Sequence, residues 1–237
     1  ETSNNWQDII NSSDIDGIII STPPNLHFEI ACEAIKNGKP IIVEKPLTLN
    51  FTDAKYILAL AQKEEVSVKV NHIYLYHPMY KFLKKNIKSK NKIISISSEG
   101  GNFGPFRDSV SPLWDWGPHD LSMCLDFLDE FPISIDAEYL KVDEQNKKAN
   151  IKIKLFFGSK KKAEIVIGNV MKTKKRKFKV NFKSVSYLFD PINFINIQEE
   201  KNNKLKSFDA HNKDKNDFEK PLNILVNNFI KEIKESK

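Results

Sequence analysis

The sequence lacks the features that would identify several protein classes. Only two cysteines occur, Cys32 and Cys124, and neither belongs to a CxxC or Cys/His ligand pattern. No apolar run approaches the roughly 20 residues of a membrane span, and no basic-then-apolar leader pattern is visible at the start. We therefore expect a reduced, cytoplasmic protein without a metal centre.

Glycine is scarce, with eight residues in 237, and no GxGxxG phosphate-binding motif occurs. The densest glycine cluster, Gly100 to Gly104, follows a predicted strand. It leads into a predicted loop containing Pro105 and Pro112 rather than into a helix. A phosphate-binding turn needs a helix at that point, so the cluster does not predict one.

Charge of one sign is not concentrated either. The chain has 37 basic and 31 acidic residues, a net charge of +6, and the lysines are dispersed. The densest basic run, 172–177, lies between two predicted strands and is interpreted as a solvated hairpin turn. A basic, nonenzymatic module that binds nucleic acid remains the alternative.

Residues 1–78 alternate between apolar runs and helical patterns. Runs at 17–21, 40–44 and 66–70 are typical of strands in a parallel sheet. Asn25 is predicted to cap one intervening helix, and Asn50 or Thr52 the next. The inward stripes are Leu26, Ile30, Ala34 and Ile35, then Ala54, Ile57, Leu58 and Ala61. This βαβαβ order predicts an α/β fold.

Residues 79–237 have a different pattern, which predicts an α+β domain with an open, mostly antiparallel sheet. A helix is expected from Pro118 to Leu128, with Pro118 at its first position, and 199–217 is expected to be an exposed loop. A last helix opens at Pro221. The predicted strands are 93–98, 133–142, 150–157, 162–168, 176–183 and 194–198. One face of this open sheet would be uncovered, which favours a homodimer or tetramer.

Two polar clusters are candidate sites. Glu44-Lys45-Pro46 closes the run 40–43, where open α/β sheets bind ligands, although a surface ion pair is the alternative. Asp115 and His119 are four residues apart near a predicted helix start, so their side chains would share a face. There the helix dipole would favour a neutral imidazole, which is a competent base. The alternative is a helix cap beside a surface histidine.

Three motifs together carry a family resemblance. They are the run from Asp16 to His27, the run from Gly38 to Pro46, and Asp115-Trp116-Gly117-Pro118-His119. In order and spacing they resemble the Gfo/Idh/MocA family of NAD(P)-dependent oxidoreductases, which are similar to glucose-fructose oxidoreductase and inositol dehydrogenase. The resemblance implies that 1–78 is the C-terminal part of a Rossmann domain binding NAD or NADP. It also implies that 79–237 is a substrate and oligomerisation domain.

The resemblance also implies site residues. Lys45, Asp115 and His119 would be catalytic, with His119 as the base, Lys45 on the reacting oxygen and Asp115 fixing the lysine or the imidazole. The cofactor would be lined by Ser21, Thr22, Pro23, Asn25, His27, Glu44 and Lys45. His72, Tyr74, Arg107 and Trp114 would face a sugar-like substrate.

Two departures from the family pattern change what we expect of the cofactor affinity and the substrate. The Gly-rich first turn is absent and the last helix stops early, so we expect a fragment that binds NAD(P) poorly and is itself inactive. Leu75 stands where many relatives have arginine, which looks more like relatives acting on nucleotide-linked or amino-modified sugars. Arg107 could then meet a phosphate or carboxylate. The expected reaction is hydride transfer at a secondary alcohol or ketone of a sugar, polyol or nucleotide-linked sugar. An NAD-dependent glycosidase is the alternative on the same fold.

Overall fold

The computed structural model describes residues 2–87, 92–107, 109–143, 148–193, 197–202, 204–208 and 220–235. Its helices are α1 (Trp6–Asn11), α2 (His27–Lys36), α3 (Phe51–Lys63), α4 (Pro78–Ile87), α5 (Pro112–Leu128) and α6 (Pro221–Glu235), with 3₁₀ helices at Pro24–Leu26 and Ile73–Tyr76. Its strands are β1 (Ile18–Ile20), β2 (Ile41–Val43), β3 (Val68–Val70), β4 (Ser95–Phe103), β5 (Pro132–Asp143), β6 (Lys148–Phe157), β7 (Lys162–Gly168), β8 (Val170–Asn181), β9 (Ser186–Phe189), β10 (Ile197–Lys201) and β11 (Lys204–Phe208).

The chain forms two compact units. Unit 1 comprises Glu1–His72 and Leu222–Lys237, and unit 2 comprises Ile73–Pro221. The sequence-based boundary at residue 78 lies six residues further on, and it assigned the last helix to the second domain. The helix belongs to unit 1, where Phe229 lies beside Gly17 and Glu232 pairs with Lys69. A Cβ on Gly17 would come within 2.6 Å of Ile233 Cδ1.

Unit 1 contains a three-stranded parallel sheet in the order β1-β2-β3, as predicted. All three residues of β2 are buried, because the sheet is covered on both faces. Asn50 caps α3 by accepting from the Asp53 N–H, and Gly38 adopts φ +66° after α2. Three predictions were wrong. Leu26 and Leu58 are exposed, and Asn25 lies in a 3₁₀ helix without a side-chain cap.

Unit 2 contains an eight-stranded mixed sheet in the order β11-β10-β9-β8-β4-β7-β6-β5. β4 and β7 pair in parallel, whereas β4 and β8, and β5 and β6, pair antiparallel. Alternate residues of β6 and β7, such as Ile153 and Ile165, are buried in one core with Met123 and Phe127 of α5. The prediction of an open, mostly antiparallel sheet is confirmed.

Several predicted boundaries in unit 2 were wrong. The basic run 172–177 lies inside β8, and Gly100 and Gly101 lie inside β4. Part of the predicted loop 199–217 belongs to β10 and β11, while 209–219 lies outside the described residues. α5 begins at Pro112, with Ser111 at its N-cap, so Pro118 is interior. Both prolines suit a first helical position, and the sequence could not decide between them.

Candidate active site

In unit 1, polar residues follow each parallel strand. Thr22 comes after β1, Glu44 and Lys45 come after β2, and Asn71 and His72 come after β3. Because parallel strands end at one edge of a sheet, these residues share that edge. We call Thr22, Glu44, Lys45, Asn71 and His72 the strand-end cluster.

His27 ties two of these loops together. Its Nδ1 lies 2.9 Å from the Pro46 carbonyl oxygen and its Nε2 lies 2.9 Å from the Thr22 carbonyl oxygen. The side chain is completely buried. Both ring nitrogens therefore contact backbone carbonyl oxygens, which fixes the Pro46–Leu47 peptide close to Lys45. The resemblance placed His27 in the cofactor-lining set, but in the structure it contacts these loops.

Asn71 and Glu44 form the polar centre of the strand-end cluster. Asn71 Nδ2 donates to Glu44 Oε1 at 2.6 Å. A carboxylate only accepts hydrogen bonds, so this contact fixes the amide orientation and directs Asn71 Oδ1 elsewhere. Lys45 is half-buried, and the Lys45–Pro46 peptide bond is cis. Sequence reasoning missed Asn71, although an asparagine directly after a short apolar strand was visible.

Three buried polar atoms of this cluster have no hydrogen-bond partner in the described part of the chain. They are Thr22 Oγ1, Asn71 Oδ1 and His72 Nδ1. Buried polar atoms are nearly always satisfied, so such a group at one sheet edge is typical of a ligand site. Burial also lowers the pKa of His72 below its usual value. Of the other predicted cofactor residues, Ser21, Pro23 and Asn25 are exposed, the first two on the loop after β1 and Asn25 in the 3₁₀ helix that follows it.

In unit 2, α5 presents Asp115 and His119 one turn apart. Asp115 lies in the first turn, and its backbone N–H donates to the Ser111 carbonyl oxygen at 2.9 Å. His119 lies beyond that turn, so the dipole argument for it does not hold. Arg107 Nε lies 3.6 Å from Asp115 Oδ2. Trp114 is 38% exposed and stands beside this pair in sequence.

His119 belongs to a chain of side-chain contacts in unit 2. Its ring meets the Tyr74 ring edge-on, with centroids 5.1 Å apart. The Arg176 guanidinium carbon lies 4.7 Å from the Tyr74 ring centroid and 5.9 Å from that of Trp116. Arg176 Nη1 donates to Asp120 Oδ2 at 2.5 Å. We call Tyr74, Trp116, His119, Asp120 and Arg176 the α5 cluster.

Sequence reasoning missed Asp120 and Arg176. Asp120 directly follows His119, but Arg176 lies within the basic run that was interpreted as a turn. Across the described ranges, no group of three His, Cys, Asp or Glu residues is placed to hold a metal ion. Nor does any helix within those ranges combine the length and apolarity needed to cross a membrane.

Comparisons with known proteins agree with this architecture. Residues 1–72 match the GFO_IDH_MocA family model, described as an oxidoreductase family with an NAD-binding Rossmann fold. A crystal structure of a candidate oxidoreductase from Magnetospirillum magnetotacticum MS-1 matches with a TM-score of 0.86 at 31% identity, covering 98% of this chain and 76% of that one.

Two curated relatives match over part of their length. An uncharacterised protein of Saccharomyces cerevisiae is 28% identical over 60% of this chain and 44% of its own length. UDP-N-acetylglucosamine 3-dehydrogenase of Acidithiobacillus ferrooxidans is 25% identical over 53% of this chain and 40% of its own length. A structure of the latter matches with a TM-score of 0.83 at 18% identity, covering 99% of this chain and 74% of that one, which shows the shared fold. These two sequence matches span less than half the length of the curated relatives.

Proposed function

Because the chain belongs to the Gfo/Idh/MocA family of NAD-binding oxidoreductases, we propose that the whole protein transfers a hydride between NAD or NADP and a sugar-like substrate. The reacting group is a secondary alcohol or ketone of a sugar, a polyol or a nucleotide-linked sugar. In this proposal unit 1 holds the cofactor and contributes Lys45 and His72, and unit 2 contributes the acid-base residues and the other substrate contacts.

The observation that carries the cofactor assignment is the group of three buried polar atoms in the strand-end cluster that lack a hydrogen-bond partner among the described residues. Thr22 Oγ1 and Asn71 Oδ1 are buried and lack hydrogen-bond partners among the described residues. A nicotinamide nucleotide offers hydroxyl and amide donors that such atoms accept. Thr22, Glu44 and Asn71 would hold the nicotinamide half. When bound, the cofactor supplies the site that gives or takes the hydride.

The remaining chemistry belongs to side chains. Alcohol oxidation requires removal of the hydroxyl proton, and His119 is the proposed base. Lys45 donates a hydrogen bond to the reacting oxygen and stabilises the negative charge that develops there. Asp115, one turn before His119, orients the base.

Arg107 supports a substrate with an anionic group. Its side chain is 54% exposed, yet its Nε lies 3.6 Å from Asp115 Oδ2, so it combines access to solvent with proximity to a proposed catalytic residue. A phosphate or carboxylate is the natural partner for such a planar donor. Trp114, Tyr74 and His72 are proposed to contact the sugar.

Substitution of the proposed catalytic residues tests the function in protein made from its complete coding sequence. We expect Lys45→Met and His119→Asn each to lower kcat by about 10²–10⁴-fold. The cofactor Kd should change by less than about threefold, because neither residue is proposed to supply most of the binding energy. Turnover is measured on polyols, sugars and nucleotide-linked sugars with NAD and NADP, and Kd by NADH and NADPH fluorescence.

Lys63→Met is the matched control, because the Lys63 side chain is 77% exposed and pairs with Glu64. It should retain wild-type turnover. Wild-type kcat in both Lys45→Met and His119→Asn would refute the proposed roles. Turnover without net NADH or NADPH accumulation would instead indicate a glycosidase cycle, and salt-sensitive nucleic-acid binding without turnover would indicate a binding module.

A further inference from the structure

The α5 cluster contains an ion pair that is almost completely buried. The side chains of Arg176 and Asp120 are 3% and 0% exposed. Taking two charges out of water is costly, and apolar residues of similar size are often as stable at such positions. Stability alone therefore does not explain why this position holds a buried ion pair, and a functional role is the alternative explanation.

The contacts of the pair are directional. Asp120 Oδ1 accepts from the Ser98 hydroxyl at 2.6 Å, and Oδ2 accepts from Arg176. This fixes the plane of the carboxylate and, through it, the guanidinium. The guanidinium carbon then lies 4.7 Å from the Tyr74 ring centroid, at cation–π distance. The Tyr74 ring in turn packs edge-on against the His119 imidazole.

The backbone is adapted to this pair. Gly100 of β4 lies opposite Arg176 in the sheet register, and a Cβ at Gly100 would overlap Asp120 Oδ2 and approach Arg176 Nη1 at 2.6 Å. Any side chain at residue 100 would displace the pair. The glycine thus provides the space in which the two charges meet.

We propose that Asp120 and Arg176 form a positioning pair for His119, an inference that rests on the proposed function. Arg176 supports the Tyr74 ring from behind, and Tyr74 fixes the plane of the imidazole. Asp120 neutralises the guanidinium, so the cation does not oppose protonation of His119.

The surrounding charges favour this assignment. On β4, β6 and β7 the residues buried beneath α5 are uncharged, as with Ser98, Ile153 and Ile165. The acidic residues of β4 and β7 instead pair with lysines, as Lys175–Glu99 and Lys152–Glu164. In the described part of unit 2, the charged or titratable groups tied to this cluster by a contact or by the sequence of α5 include Tyr74, Arg107, Asp115, Asp120, Cys124 and Arg176.

The electrostatic part is tested by following the His119 ring directly by NMR in ¹³C-histidine-labelled protein from the complete coding sequence. Asp120→Asn removes the negative charge and leaves the guanidinium, which does not lose its proton. The His119 titration midpoint should fall by about one pH unit. In Asp120→Asn/Arg176→Met both charges are gone, and the midpoint should return to the wild-type value. An unchanged midpoint in Asp120→Asn, or no return in the double variant, would overturn this part.

The positioning part is tested with a double-mutant cycle that keeps the charge. Arg176→Lys retains the cation but loses the planar face, so we expect at least about a tenfold loss of kcat at an unchanged cofactor Kd. Tyr74→Leu should give a similar loss. If Arg176 acts through Tyr74, the Arg176→Lys/Tyr74→Leu protein should lose no more than either single variant. Additive losses would refute the route through Tyr74, even if Asp120→Asn fails to fold.

The two proposals fail separately. If His119→Asn keeps wild-type kcat, the catalytic role of His119 is wrong whatever the NMR titration shows. If His119→Asn abolishes turnover while Arg176→Lys and Tyr74→Leu leave kcat unchanged, the function stands and the positioning pair is wrong.

Discussion

His77 shows at the residue scale how burial can make a side chain sensitive to acid. Its Nδ1 accepts from the Met79 N–H at 3.3 Å, and its ring lies 4.9 Å from Phe189. Burial lowers the pKa of His77 to about 4 from an ordinary 6.5. The unfolded chain therefore binds a proton between these pH values that the folded protein excludes, so stability falls as pH drops through this window.

We expect wild-type protein to lose up to about 3 kcal/mol of unfolding free energy through His77 between pH 6.5 and pH 4. In His77→Asn, which retains a side-chain acceptor but does not titrate, the difference between pH 7 and pH 4.5 should shrink accordingly. Urea denaturation at a series of pH values measures it. Phe189→Leu is the control: it weakens the same ring contact but should keep the wild-type pH dependence. If the unfolding free energy of His77→Asn fell with decreasing pH as steeply as that of the wild type, His77 would not be the source of the pH dependence.

Individual residues of the candidate site differed in how far sequence could place them. The positions of Glu44 and Lys45 after β2 followed from the apolar run that they close. The contacts of His27 could not be predicted, because its two partners are the carbonyl oxygens of Thr22 and Pro46. Every residue type has a backbone carbonyl, so the sequence does not indicate which one is used.

At the element scale, Gly100 of β4 leaves the space in which Arg176 of β8 contacts Asp120 of α5. A methyl group there would collide with the buried Asp120–Arg176 pair, and overpacking of this kind costs about 1–3 kcal/mol. We expect Gly100→Ala to lose about that much unfolding free energy by urea denaturation.

Gly158→Ala is the matched control for this loss. A Cβ at Gly158 would meet its nearest atom, Glu130 Oε1, at an ordinary 3.6 Å, so the change should stay within about 0.5 kcal/mol. If Gly100→Ala is as stable as Gly158→Ala, the ion pair of Asp120 and Arg176 does not require a glycine at residue 100.

Element types followed from sequence better than element ends. The parallel strands of unit 1 could be predicted because buried runs such as 41–43 are short and wholly apolar. β8 could not be delimited, because its lysines at 172–177 resemble a turn. These basic residues fit into a strand because Lys175 forms an ion pair with Glu99 across the sheet and Arg176 forms one with Asp120. Both acidic partners are remote in sequence, so the pairs could not be predicted.

At the scale of the whole molecule, β5 forms one edge of the eight-stranded sheet and is exposed along nearly its whole length. Its Ile135 and Tyr139 are 60% and 66% exposed and border an apolar groove with Leu113 and Leu121. An apolar edge strand invites pairing with another chain. We expect a homo-oligomer with this edge in the interface.

Ile135→Lys should shift the mass measured by light scattering toward the monomer at micromolar concentration. Ser134→Lys places the same charge on the opposite face of the strand and should leave the assembly intact. A wild-type protein that is already monomeric under these conditions would exclude the interface.

The discontinuity of unit 1 has a consequence for synthesis on the ribosome. Gly17 stands beside Phe229 and Ile233, yet roughly 150 residues of unit 2 are translated between them. At cellular elongation rates that interval lasts on the order of ten seconds. During it, the nascent sheet exposes the surface that α6 will cover, whereas unit 2 is contiguous and can fold as it emerges. This interval is when we expect chaperones to engage the growing chain.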